Sequence, residues 1–385
     1  MQKTIEEINE RIRSGKAVVF TAEEIISVVE EKGLKKAFED VDVVTTGTFG
    51  PMCSSGMFIN FGHSSPPIRM NRVWLNDVPA FAGLAAVDAY IGATEQSERL
   101  GMQYGGAHVI EDFINGKDIV LYAESYGTDC YPRKDIKTTI NKNNVNQAYM
   151  FNPRNCYQNY AAATNSTDKI MYTYMGTLLP EFGNVTYSTS GELSPLINDP
   201  EYRTIGIGTK VFIGGAQGYV AWEGTQHDPG QERLENRVPI SGAGTLALIG
   251  DAKKMSGRYI RAAVYEKYGV SIFVGVGIPI PVLDEDILLK TTVRNRDIQT
   301  VLVDKSGKED LNIRVNYEQL RSGFVEIRGR KVPTAPLSSL KFAREIASEL
   351  KRQIQTGEFI LTEPVERLRN DGRRLSKLEE REVRL

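Results

Sequence analysis

From Lys169 onward the apolar residues come in short runs cut by Gly, Asn and Pro. The clearest are Ile170–Tyr174, Val185–Thr189, Ile205–Ile213, Tyr219–Trp222, Val270–Ile280, Ile298–Val303, Ile313–Val315 and Gly323–Ile327. Such runs, rich in β-branched and aromatic residues, read as strands. They alternate with helical signatures too irregularly for a doubly wound sheet or a β/α barrel. Helical signatures gather at the two ends instead. Thr4-Ile-Glu-Glu7 and Thr21-Ala-Glu-Glu24 are capping-box patterns that open two amphipathic helices, with Gly15 and Gly33 as stops. Leu340 to Gln355 carries Phe342, Ile346, Leu350 and Ile354 on one face, with Gly357 as its stop. The pattern predicts a mixed α+β fold, helices at both termini around a strand-rich centre.

The chain's 385 residues suffice for one large domain or two. We expect one unit over 1–340, with a β-rich subdomain at about 169–330, then a C-terminal helix and charged tail over 341–385. The tail from Arg369 reads as a solvated helix or frayed end. Asn76 to Ala93, rich in Ala and Gly, reads as a packed helix with loops. Gly101 to Gly106 reads as a loop, Ala252–Ala263 as an amphipathic stretch and Pro333 to Pro336 as a linker. No repeat of fixed period occurs.

A formal net charge of -2 gives no field that invites nucleic acid or an anionic membrane. No apolar run approaches the ~18 residues a membrane span needs, and the charged N-terminus is unlike a signal peptide. The expectation is a cytoplasmic protein. Three cysteines, Cys53, Cys130 and Cys156, are too few and of the wrong parity for a disulfide framework. No C-x-x-C pair exists, which removes a zinc ribbon or a ferredoxin-type run.

Two cysteines stand at the ends of predicted strands. Val41–Thr46 runs into a Thr-Gly-Pro loop holding Cys53, and Ile119–Ala123 runs into Gly127-Thr-Asp-Cys130. Loops on a rigid scaffold commonly carry chemistry, and two such ends suggest one site built from two loops. Arg133 and Lys134 near Cys130 favour its thiolate, and a buried small hydrophobe is the alternative for each cysteine. A third reading has Cys53, Cys130 and Cys156 ligating an iron–sulfur cluster with one open iron. His63, in the Cys53 loop region, leads the three histidines as an acid–base candidate; His227 is second and His108 third. Arg69, Arg72 and Arg133 are candidates for a carboxylate, against ordinary surface roles. The glycine loops at Gly206–Gly208, Gly214–Gly218 and Ser241–Gly244 fit neither a dinucleotide fingerprint nor a Walker A motif, so no nucleotide cofactor is expected.

The segments TGTFGPMCSSGMFINFGHSSPPIRM and AESYGTDCYPRKD, with GTKVFIGGAQGYVAWEGTQH and VPISGAGTLALIGDAKKM downstream, resemble the signature segments of a homocysteine-biosynthesis family. These are the L-aspartate semialdehyde sulfurtransferases of methanogens and anaerobic bacteria. The resemblance covers roughly residues 5–360 and makes 1–340 a catalytic sulfur-incorporation domain, without CBS or ferredoxin domains. It implies that aspartate semialdehyde, sulfide and two external electrons yield homocysteine through a cysteine persulfide. That cysteine would be Cys130, with Cys53 as the second functional thiol. His63 would move protons, and Arg69 or Arg133 would hold the substrate carboxylate. No tightly bound cofactor is expected; an iron–sulfur cluster would sit on a ferredoxin-like partner, or, in the rival reading, on the three cysteines here. A non-catalytic sulfur carrier or scaffold for that partner is the other alternative. Small-molecule substrates, no nucleic acid, no membrane and a homo-oligomer complete the expectation.

Overall fold

The computed structural model describes residues 2–382. Its centre is an antiparallel sheet in the order Ile260–Tyr265, Gly269–Gly277, Lys210–Ile213, Ala216–Glu223, Leu246–Asp251, Gln147–Asn155, Gly56–Asn60, Asp88–Gly92, and Thr48–Pro51 also pairs on Gly269–Gly277. Gly269–Gly277 is buried along nearly its whole length, so it reads as a continuous apolar run, as strands covered on both faces do. One face carries the helix Gly106–Ile114, whose Val109, Ile110 and Phe113 enter the main core.

Leu340–Gln355 covers another part. Its Ile346, Leu350 and Ile354 pack with Ile8, Ile12, Phe49 and Phe212, so the two ends of the chain share one core. The first predicted capping box forms: the Thr4 hydroxyl accepts from the Glu7 N–H at 3.2 Å, and the Glu7 carboxylate accepts from the Thr4 N–H at 2.7 Å. Thr21 and Glu24 exchange the same two bonds, but Thr21 ends a strand and the helix Glu24–Lys32 starts at an N-cap, Glu23, without a side-chain bond.

A second sheet runs Ile313–Asn316, Gln299–Asp304, Ala162–Thr164, Val185–Tyr187, Arg330–Pro336, Phe324–Ile327 and has its own core of Ile298, Leu302, Tyr317, Val325 and neighbours. A four-stranded sheet, Asp135–Ile140, Ile119–Glu124, Arg72–Leu75, Val78–Ala80, adds Val73, Leu75, Ile119 and Leu121 to the main core. The mixed α+β expectation stands. No helix among the described residues is long and apolar enough to cross a membrane.

Several local expectations are corrected. Asn76 to Ala93 is not helical: it forms the strands Val78–Ala80 and Asp88–Gly92, in which Ala89 and Ile91 are buried and their neighbours half-buried. That alternation is a strand period, which the Ala and Gly content masked. Gly101–Gly105 is a short strand paired with Gln96–Ser97. Ala252–Ala263 is a turn of 3-10 helix followed by the strand Ile260–Tyr265. The Pro333 to Pro336 linker lies inside the strand Arg330–Pro336; Thr334 between the prolines still donates its N–H to Gly323 O at 2.9 Å. A third helix, Leu34–Asp40, follows directly on Gly33.

The tail is neither helical nor frayed over its first part. Glu366–Arg367 pairs with Gly206–Ile207, the Arg369 carbonyl meets His227 Nε2 at 2.7 Å, Gly230 N–H donates to Arg373 O at 3.0 Å, and Arg374 Nε pairs with Asp228 at 3.2 Å.

The helix Leu340–Gln355 approaches the sheet closely at Gly47. A methyl group there would strike the Ala343 carbonyl oxygen and lie 3.0 Å from Ala347 N, both backbone atoms that cannot yield locally. Gly47→Ala is therefore expected to cost about 1–3 kcal/mol through overpacking, read as a lowered urea midpoint with unchanged slope.

Candidate active site

The strand Thr48–Pro51 hydrogen-bonds to Gly269–Gly277, and one residue later the Met52 N–H still donates to Ile272 O at 2.7 Å. The chain then turns sharply: Ser55 donates to Met52 O from both its N–H, at 3.0 Å, and its hydroxyl, at 2.7 Å. Cys53 stands at this turn with its Sγ 3.1 Å from the hydroxyl of Ser271, a buried serine on the neighbouring strand. The backbone ladder thus sets where Cys53 stands, and the Ser271 hydroxyl meets its sulfur.

Cys53 faces a cavity of about 280 Å³ between the main core, through Met52, and a small cluster around Met175 and Leu337. The main sheet contributes Pro51 to Ser54 and Arg154; the second sheet and its approaches contribute Tyr160, Ser188 and Leu337. Tyr174 and Met175, the tip of the hairpin Met171–Thr173/Gly176–Leu178, and Tyr268, in the turn after Ile260–Tyr265, close the sides. The lining is strongly aromatic: Tyr157, Tyr160, Tyr174 and Tyr268 all face it, the first two edge-on with centroids 4.9 Å apart.

Arg154 supplies the cationic side chain of this lining; its Nε donates to Thr225 Oγ1 at 3.1 Å. Burial raises the Tyr157 and Tyr160 phenols. The Tyr265 hydroxyl, beneath the cavity, is buried without a hydrogen-bond partner, and burial followed by the nearby Cys53 raises it. A small acceptor-bearing molecule thus meets one thiol, one guanidinium and several neutral phenols.

Cys130 is elsewhere. It follows the strand Ile119–Glu124, in a loop where Thr128 and Tyr131 exchange two backbone hydrogen bonds, of 2.9 and 3.1 Å. Asp129 and Cys130 are the two residues at the tip, both exposed. The His63 loop packs against this tip: the His63 and Tyr131 rings stack with centroids 6.1 Å apart, and Arg133 N–H donates to Pro67 O at 3.2 Å. His63 therefore accompanies Cys130, although sequence proximity paired it with Cys53; neither His63 nor Cys130 lines the cavity. Arg69 is exposed, and Arg133 turns its Nε to Asp135 O at 2.8 Å; neither is a lining residue.

Cys156, just past the strand Gln147–Asn155, is buried with φ of 50°, and burial pushes its thiol well above the ordinary range. Among the described residues no three His, Cys, Asp or Glu side chains gather as metal ligands do. Cys53 lines the cavity, Cys130 stands on the exposed tip and Cys156 is buried, so the described residues do not bring the three cysteines together. The other two histidines serve the fold. His227 is buried with both nitrogens engaged, by Arg369 O and by the Thr245 N–H at 3.3 Å. His108 accepts from the Gly105 N–H at 3.1 Å at the start of its helix.

Sequence reasoning missed the cavity's tyrosines and Arg154. The one signal was the density of Tyr and Asn between Asn141 and Asn165. It also missed Lys305, whose Nζ donates to Tyr174 Oη at 2.7 Å. Lys305 is positioned by its neighbour: the Asp304 carboxylate accepts from the N–H and hydroxyl of both Ser166 and Ser306, at 2.6 to 3.1 Å. Burial alone would raise Asp304, but these hydrogen bonds outweigh it and hold its pKa at about 2.

A carboxylate depressed in the folded state stabilises the fold above its unfolded pKa, and that contribution is lost as pH falls through the folded value. Asp304→Asn is expected to cost about 1–2 kcal/mol at neutral pH, with the gap to wild type closing between the ordinary aspartate range and pH of about 2; urea melts across that range test it. Iodoacetamide should label Cys130 quickly and leave Cys156 unmodified until the protein unfolds, as peptide mapping would show.

The family described as homocysteine biosynthesis enzyme, sulfur-incorporation, matches residues 17–361. The L-aspartate semialdehyde sulfurtransferase of Methanosarcina acetivorans is 52% identical over 97% of this chain and 73% of its own length. The protein of the same name from Methanocaldococcus jannaschii is 53% identical over 96% of this chain and 74% of its own. An uncharacterized protein of Methanothermobacter thermautotrophicus is 30% identical over 84% of this chain and 73% of its own. No solved structure matches. The chain belongs to the homocysteine biosynthesis, sulfur-incorporation family of enzymes.

Proposed function

We propose that this protein is a cytoplasmic L-aspartate semialdehyde sulfurtransferase that forms homocysteine, taking sulfur as sulfide and two electrons from a ferredoxin-like iron–sulfur protein. The observation that carries the reading is the division of labour between two thiols. Cys53 is held at the edge of a small cavity, and Cys130 is displayed at an exposed tip. The relatives' activity supports the substrate, and the cavity suits it: a short aldehyde with a carboxylate needs one guanidinium and a dry, hydrogen-bonding wall. We assign that carboxylate to Arg154, which lines the cavity, rather than to Arg69 or Arg133.

Cys130 carries the sulfur as a persulfide. An exposed tip is where sulfide has access, and His63 beside it serves as the proton carrier. The terminal persulfide sulfur adds to the aldehyde carbon. The Cys53 thiolate then attacks Cys130 Sγ, forming a Cys53–Cys130 disulfide and releasing the sulfur on carbon as a thiolate. Sulfide reopens the disulfide at Cys130, restoring the persulfide and the Cys53 thiol. Loss of water from the carbon adduct and addition of two electrons and two protons gives the product thiol. The net reaction consumes one aldehyde, one sulfide and two electrons.

This cycle requires the Cys130 tip to visit the cavity mouth, from its own chain or from a second copy. Mild oxidation should therefore link Cys53 to Cys130, and non-reducing electrophoresis separates the intrachain from the interchain bond; no link of either kind removes Cys53 from the cycle. Cys130→Ser should abolish homocysteine formation and the sulfur atom that intact mass finds on wild type after mild oxidation to the disulfide followed by sulfide, which opens that disulfide at Cys130. Unimpaired turnover by Cys130→Ser would falsify the persulfide assignment.

A further inference from the structure

One phenol of the cavity is unlike the rest. The Tyr174 oxygen accepts two hydrogen bonds, from Lys305 Nζ at 2.7 Å and from the Tyr160 hydroxyl at 3.3 Å. The Lys305 ammonium also lies 4.8 Å from the centre of the Tyr174 ring. A phenol has one proton to give, and with its oxygen occupied by two donors that proton has to point away from both. No acceptor for it is found among the described residues, and Tyr174 lines the cavity that Cys53 lines. Its position is fixed on both sides. The hairpin tip is held by Thr173, whose hydroxyl donates to Gly176 O at 3.0 Å and accepts from the Met175 N–H at 3.0 Å. Lys305 is anchored through its own N–H to Thr164 O, at 2.9 Å, beside the Asp304 nest.

We propose that Tyr174, backed by Lys305, is the acid–base residue of the Cys53 cavity, giving its proton to the oxygen of the bound aldehyde. The proposal rests on the reading of that cavity as the aldehyde site. When the sulfur nucleophile adds, a carbon–sulfur bond forms, the carbon–oxygen π pair moves to oxygen, and oxygen takes the Tyr174 proton. The phenolate that remains is stabilised by the Lys305 cation and the Tyr160 O–H, and is reprotonated from solvent. When the sulfur on carbon is free, its electron pair forms the carbon–sulfur double bond. The hydroxyl then leaves as water after taking the Tyr174 proton a second time. Both steps are redox-neutral, so they precede and do not consume the two external electrons.

The electrostatics agree with this placement. The titratable and charged groups facing Tyr174 are Lys305, Tyr160, Cys53 and Tyr268, with Arg154 and Tyr157 across the cavity. Burial raises the Tyr174 phenol, but the Lys305 and Tyr160 hydrogen bonds and the Lys305 charge outweigh it and leave it below the ordinary phenol value. An acid must be protonated to act, so activity falls as pH rises through that value. Lys305→Met removes the cation and should move this alkaline limb upward by roughly one unit or more; Lys305→Arg should keep it.

The experiment is turnover of aspartate semialdehyde with sulfide and a chemical reductant, across pH, for wild type, Tyr174→Phe and the two Lys305 variants, alongside a tyrosinate absorbance titration of each. Tyr174→Phe is expected to lower kcat by about 100-fold or more with KM little changed, and to lose the earliest-ionising tyrosine. Wild-type kcat in Tyr174→Phe, or an alkaline limb that Lys305→Met does not move, overturns the proposal. Wild type without turnover overturns the substrate assignment instead. The titration then decides the pair by itself: an early tyrosine that survives in Tyr174→Phe removes Tyr174 from the role.

Discussion

The site depends on one pairing of strands. Thr48–Pro51 lies antiparallel on Gly269–Gly277, and the last hydrogen bond of that ladder, from Met52, leaves Cys53 where its sulfur meets the Ser271 hydroxyl. A slip of one residue would turn the thiol to the opposite face. The register is protected by what lies around it. Phe49 stacks on Phe342 of the C-terminal helix with centroids 4.7 Å apart, and the same helix fills the groove above Gly47. Packing at the C-terminal helix therefore helps decide where the Cys53 sulfur stands.

The second sheet contributes walls rather than nucleophiles. Tyr160 leads into it, Ser188 and Leu337 flank its central strands, and Lys305 terminates the strand Gln299–Asp304. The two sheets are separately cored, so the cavity beside their strands is a place where polar side chains converge without either core having to bury them. That is the usual economy of sites at seams. Tyrosine suits such a place, because one side chain offers both an apolar ring and a polar hydroxyl.

Much of the framework was legible in the chain itself. The capping box at Thr4 and the amphipathic face of Leu340–Gln355 carry local signals, and they fold as those signals dictate. Cys53 and Cys130 were legible as thiols at strand ends. Their separation was not, because the neighbours of a loop are set by long-range pairing. His63 stands ten residues from Cys53 yet stacks on Tyr131. The strands at Val78–Ala80 and Asp88–Gly92 were hidden by Ala and Gly, whose small side chains blur the period that marks a strand. Tyr174 and Lys305 lie more than a hundred residues apart on a hairpin tip and a turn, and nothing local to either announces the other.

The strap formed by Glu366 to Arg374 bears on how the protein is made. Gln226 lines the cavity, and the next residue, His227, is seated on the carbonyl of Arg369, 142 positions later. Asp228 and Gly230 are tied down by Arg374 and Arg373 in turn. As the polypeptide leaves the ribosome, the Cys53 turn and its partner strand are complete long before that strap emerges. The segment that carries Gln226 is therefore tied down by residues made well after the Cys53 turn and its partner strand.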